Sequence, residues 1–105
     1  LLELQGNIDS DTLLIGWGST EGHLHAAANE LNCALAHFNY IHPLPKNTEE
    51  VLRKYKKLIV CELNSGQFAG YLRSKIEGIS LLQYNELTAQ PFAVDRIVNF
   101  VKNTL

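Results

Sequence analysis

The sequence predicts a three-layer α/β/α fold built on a mostly parallel sheet of about five strands. Three observations carry this. Short β-type apolar runs alternate with stripes at helical spacing along the whole chain. One run, Leu58-Ile59-Val60-Cys61, is continuously apolar, as suits a strand covered by helices on both faces. And Gly18-Ser19-Thr20 follows a strand-type run and precedes a helical stripe, the order of a βα turn.

The elements follow in order. Leu1 to Leu4 is read as a possible edge strand. Leu13-Leu14-Ile15-Gly16-Trp17 is the first clear strand. Leu24, Ala27, Ala28 and Leu31 then recur at i, i+3, i+4 and i+7, one face of a helix. Glu21 falls in its first turn, where the helix dipole favours a negative charge. Leu35 to His42 is the next strand. Ala36, Phe38 and Tyr40 are predicted on one face, and Leu35, His37, Asn39 and Ile41 on the other. Pro43-Leu44-Pro45 ends it, because proline cannot donate to a ladder.

Asn47-Thr48-Glu49-Glu50 reads as a capped helix start, with Val51, Leu52 and Tyr55 as its apolar stripe. After the Leu58 strand, Glu62 to Gly66 is a loop. Phe68, Leu72 and Ile76 mark a third helix, and Gly70 within it suggests close packing. Ile79 to Tyr84 is the last strand. Val94, Ile97, Val98 and Val101 mark the last helix.

Length and composition fit one soluble domain over residues 1–105, with 46% apolar and 19% charged residues. A net charge of −2 and the absence of a basic run exclude a nucleic-acid patch. No apolar run approaches the ~20 residues of a membrane span. The chain begins with Leu1 and contains no Met, which predicts an excised piece of a longer protein. Its cysteines, Cys33 and Cys61, are expected as buried reduced thiols of a cytoplasmic protein.

The sites for chemistry are few. Trp17-Gly18-Ser19-Thr20-Glu21-Gly22 lies where α/β folds bind anions. It lacks the third glycine of a dinucleotide fingerprint and the lysine of a phosphate loop. His23 and His25 sit about 200° apart around a helix and cannot share a metal. Ser19 is not in a nucleophile elbow. Glu62, facing the Asn64-to-Gln67 loop, could be catalytic; the plainer reading has Glu62 and Asn64 hydrogen-bonding adjacent loops. The candidate ligand or interface residues are Trp17, Gly18, Ser19, Thr20, Glu62, Asn64 and Gln67, with no catalytic or metal-binding residue assigned. Trp17, Tyr84 and Phe92 are candidates either for an interface or for capping the domain's own core.

Several stretches together resemble a known family. Leu14 to Gly22 is similar to the opening of the transketolase C-terminal-like domain in alpha subunits of 2-oxoacid:ferredoxin (or flavodoxin) oxidoreductases. Ile41-His42-Pro43-Leu44-Pro45, Lys57 to Asn64, Gly66-Gln67-Phe68-Ala69, Leu72-Arg73 and Gln90-Pro91-Phe92 agree in order and spacing. The resemblance runs from Gly6 to Leu105. The Gln-Pro-Phe ending leans to the 2-oxoglutarate branch over the pyruvate branch. Ala89 departs from the glycine common before that motif, which puts the local turn in question.

The resemblance implies an oxidoreductase that decarboxylates a 2-oxoacid on thiamine diphosphate with magnesium. It implies iron–sulfur clusters passing electrons to ferredoxin, and release of CO2 and an acyl-CoA. The cofactors are implied to sit in other domains or in the beta subunit, which would be this domain's partners. It implies a non-catalytic assembly role here, with CoA or ferredoxin reached only through the full complex. From the residues alone, a free-standing anion- or nucleotide-binding module at Gly18-Ser19-Thr20 stays open.

Overall fold

The computed structural model describes residues 1–18, 21–41, 43–62, 66–85 and 94–104. Five strands form one sheet: β1 (Leu4–Gly6), β2 (Thr12–Trp17), β3 (Ala34–Phe38), β4 (Lys57–Glu62) and β5 (Leu82–Asn85). Helices α1 (Glu21–Leu31), α2 (Thr48–Leu52), α3 (Gln67–Lys75) and α4 (Val94–Lys102) fill the connections and the C-terminal end. The sheet order is β1-β3-β2-β4-β5. All neighbours pair in parallel except β1, which runs antiparallel to β3. The expected α/β sheet is therefore present; β1 and β5 are its edges, and the N-terminal edge strand is Leu4–Gly6 rather than the Leu1 to Leu4 expected.

Strand parity sorts the core into two layers. Leu13, Ile15, Ala36, Phe38, Leu58 and Val60 face one way, and pack with Val51 and Leu52 of α2 and Phe68, Ala69 and Leu72 of α3. Leu14, Leu35, Ile59 and Cys61 face the other way, against Leu24, Ala27 and Ala28 of α1 and Ile97, Val98 and Val101 of α4. Adjacent residues on a strand point to opposite faces, so a continuously apolar strand feeds both layers. That is why β2, β3 and β4 are buried along nearly their whole length.

Some expectations are corrected. The third strand ends at Phe38 rather than His42, and parity fails beyond it: Ile41, expected on the opposite face from Phe38, packs into the same layer. The last strand begins at Leu82, not Ile79. Helix α2 stops at Leu52, so Tyr55 lies beyond it, yet stays buried and donates its hydroxyl to the Ile8 carbonyl at 2.8 Å. Asn47 precedes α2 without a side-chain cap bond. Its amide instead pins the N-terminal segment, accepting from Leu2 N–H at 2.8 Å and donating to Leu2 C=O at 3.0 Å. A long-range backbone pair competes for the same side chain, and here it wins.

Gly70 does not mark close packing. It is exposed on α3, and nothing lies within 4 Å of where a Cβ would stand. The Ala89 turn and the Gln90-Pro91-Phe92 motif lie outside the described residues, as does His42.

Candidate functional site

The chain passes from β2 to β3 in one direction, then crosses back over β2 to β4. The carboxyl ends of β2 and β4 therefore flank a topological switch point, where open α/β sheets hold their crevice. Trp17-Gly18 leaves β2 at this edge, and Glu62 ends β4 beside it. Four of the sequence-selected residues are described here: Trp17, Gly18, Glu62 and Gln67. Ser19, Thr20 and Asn64 lie outside the described residues.

Glu62 is 1% exposed, a carboxylate in the core layer. One oxygen accepts the Phe68 N–H at 2.8 Å and the other accepts the Ala69 N–H at 2.9 Å. The first amides of a helix have no intrahelical acceptor, and they usually take one from the N-cap side chain. The N-cap of α3 is Gly66, which has no side chain. Glu62 supplies the missing acceptor from the end of the neighbouring strand, and its charge suits the positive end of the helix dipole. Glu62 thus hydrogen-bonds the start of α3 rather than an adjacent loop, and Asn64, expected to do the same, lies outside the described residues.

Gly66 is needed at its place for two reasons. Its φ is +93°, a left-handed conformation that side chains rarely adopt. A Cβ there would also stand 2.3 Å from the Gln83 amide nitrogen of β5. Glu62 thereby ties the start of α3 to β4, with Gly66 close beside Gln83 of β5.

On the β2 side, Gly18 has φ +75°, a left-handed conformation that favours glycine. Its carbonyl lies 2.9 Å from His37 Nε2 on β3, which places the proton on that nitrogen as the donor. His37 thereby ties Gly18, at the end of β2, to β3. His25 on α1 pairs with the Gln5 side-chain oxygen at 2.9 Å, so this histidine too is spent on a structural contact.

Trp17 and Gln67 converge on one cleft of about 230 Å³, together with Ile41, Phe68 and Tyr71. Phe68 meets Trp17 with ring centroids 5.8 Å apart and meets Phe38 edge-on at 5.1 Å. The Tyr71 hydroxyl donates to the Ile41 carbonyl at 2.9 Å and closes one side. Ile41 and Tyr71 were not selected from sequence. They are 30 residues apart along the chain, and only Tyr71's spacing from Gln67 along one helix hints that it shares their face. Tyr84, the other described aromatic of interest, packs on Phe100 of α4 at 5.1 Å and so covers the domain's own core.

Both cysteines are buried free thiols, Cys33 beside α1 and Cys61 inside β4. Burial pushes the Cys33 thiol up to about 11. It pushes Cys61 further up, with the negative charges that Cys33 and Glu62 can carry adding to the effect. Among the described residues, no group of three His, Cys, Asp or Glu side chains is placed to hold a metal ion, and no helix is long and apolar enough to cross a membrane.

No protein-family model matches the chain. Among curated proteins it is similar to the 2-oxoglutarate oxidoreductase subunit KorA of Mycobacterium tuberculosis (strain ATCC 25618 / H37Rv), 36% identical over 102 residues. That match covers 92% of this chain and 16% of KorA. Among solved structures it is similar to a 2-oxoglutarate:ferredoxin oxidoreductase from Magnetococcus marinus with 2-oxoglutarate, coenzyme A and succinyl-CoA bound. There the TM-score is 0.86 at 28% identity, covering 98% of this chain and 19% of that one. The chain thus spans less than one-fifth of the length of either relative.

Proposed function

Since the chain is a domain of the transketolase C-terminal type found in 2-oxoglutarate oxidoreductase subunits, we propose that it is a non-catalytic assembly domain of such an enzyme. The parent would convert 2-oxoglutarate and CoA to succinyl-CoA and CO2, with ferredoxin as electron acceptor. Thiamine diphosphate, magnesium and iron–sulfur clusters would reside in other domains or in a partner subunit. No reaction step is assigned to this domain.

One observation carries the reading. The carboxylate with the best position for chemistry, Glu62 at the switch point, has both oxygens engaged by backbone amides of α3. A general acid or base needs an oxygen within hydrogen-bond reach of the substrate. Glu62 instead holds one wall of the sheet edge in place. No observation among the described residues favours the alternative of a free-standing anion-binding module.

The test is calorimetry with thiamine diphosphate and magnesium on this 105-residue chain and on the full parent enzyme. Binding is expected to the parent alone. Micromolar binding to the isolated chain would overturn the assembly reading.

A further inference from the structure

We propose that the cleft between Trp17, Ile41, Gln67, Phe68 and Tyr71 seats an uncharged apolar side chain from the part of the parent polypeptide outside these 105 residues. The inference rests on the assembly reading above and names the surface through which assembly would act.

The walls are built to receive a side chain. Phe68 is held from behind by Glu62 through its own amide, and from the side by Phe38. Tyr71 is tied to Ile41 by its hydroxyl, which joins the α3 wall to the segment after β3. Trp17 stands over Phe68 at the end of β2. Three elements are thus fixed before anything docks, which spares the ordering cost of binding. Half-buried tryptophan and tyrosine around a buried phenylalanine, with an exposed amide at the rim, is the composition of a binding hot spot.

Charge and size select the occupant. Among the described residues, none of the five side chains that line the cleft is charged. A phosphate, carboxylate or ammonium placed there would lose its hydration without a counter-charge. At about 230 Å³ the cleft falls below the ~300–1,000 Å³ usual for cofactor-sized ligands. The source follows from length: the matched region is 16% of KorA, so more than four-fifths of such a subunit lies outside it. That remainder is covalently joined and present at high effective concentration, which favours it over a separate chain.

The experiment uses the full-length parent in its assembled state. A photo-crosslinking side chain is introduced as Gln67→p-benzoylphenylalanine, with Leu82→p-benzoylphenylalanine on β5 as the control position. Gln67 and Leu82 are both exposed, so neither change is expected to disturb folding. The expected result is a crosslink from position 67 to a peptide of the same polypeptide outside this domain. It should be missing from the control, and lost when Ile41→Lys puts a charge in the wall. A link to a second subunit or a second copy overturns the proposal, as does no link at all. If the parent assembles and position 67 links to nothing, this inference fails while the assembly reading stands. A natural polypeptide no larger than this domain removes both. Should Ile41→Lys unfold the domain, the crosslink map of the otherwise unaltered chain decides alone.

Discussion

Glu62 and Phe68 are joined by an amide-to-carboxylate hydrogen bond of 2.8 Å between the end of β4 and the start of α3. The same carboxylate takes the next amide, Ala69, with its other oxygen. This pair decides how α3 begins, where the Phe68 ring stands, and so the shape of the cleft beside Trp17. It also yields the first prediction. Glu62→Gln keeps the size of the side chain but leaves one acceptor oxygen for two buried amides. Chemical denaturation should show a loss of about 1–3 kcal/mol. Unchanged stability would return Glu62 to the list of candidate chemical groups.

Gly66 carries the second prediction. With φ +93° and a Cβ position crowded by the Gln83 amide, Gly66→Ala should destabilise by about 1–3 kcal/mol. Gln83→Ala in the same chain relieves the contact but not the backbone. The double variant should therefore recover only part of the loss in urea denaturation, and full recovery would show that the strain is steric alone.

Gly70 predicts the opposite sign. It is an exposed position inside α3 with open space where a Cβ would go. Gly70→Ala lowers the entropy of the unfolded chain and improves helix propensity. The melting midpoint should rise, by an amount equivalent to about 0.5–1 kcal/mol.

Asn47 ties the N-terminal segment to the start of α2 through both backbone groups of Leu2. Asn47→Ala should raise hydrogen exchange in Leu2–Gly6 selectively and leave β2 and β4 protected. Uniform acceleration across the sheet would mean that Asn47 supports the whole fold rather than this segment.

The buried thiols give a pH dependence. Cys33 is raised from 9.0 to about 11, so the fold holds its proton more tightly than the unfolded chain does. The resulting stability is present below pH 9 and is lost as pH rises through about 11. Denaturation midpoints should fall across that window, and Cys33→Ala should reduce the slope. At pH 8 the folded chain should resist alkylation at both cysteines until denaturant is added.

Much of the architecture could be read directly. Leu58-Ile59-Val60-Cys61 announced a strand covered on both faces, and β4 is buried so. The i, i+3, i+4, i+7 stripe from Leu24 predicted the face of α1 that packs on Leu14 and Leu35. The ends of elements were less legible. Val51, Leu52 and Tyr55 share a helical spacing, yet the helix stops before Tyr55, whose hydroxyl is held by the distant Ile8 carbonyl. Local periodicity reports which residues are buried; where an element stops depends on partners brought in by the rest of the chain.

The sequence alone determined the alternation of strands and helices, and with it the two-layered core, because the spacing of apolar residues obeys the geometry of each element. It also brought Trp17, Gly18, Glu62 and Gln67 forward, since strand ends in parallel sheets are legible from composition. Only the tertiary structure decided what those residues do. Glu62 is separated by six and seven residues from the amides it caps, and Tyr71 by 30 from the carbonyl it holds. Such partners meet through the crossover of β4 past β2 and the packing of α3 on the sheet. A hydrogen bond depends on tenths of an ångström across that assembled edge, and no spacing along the chain encodes them.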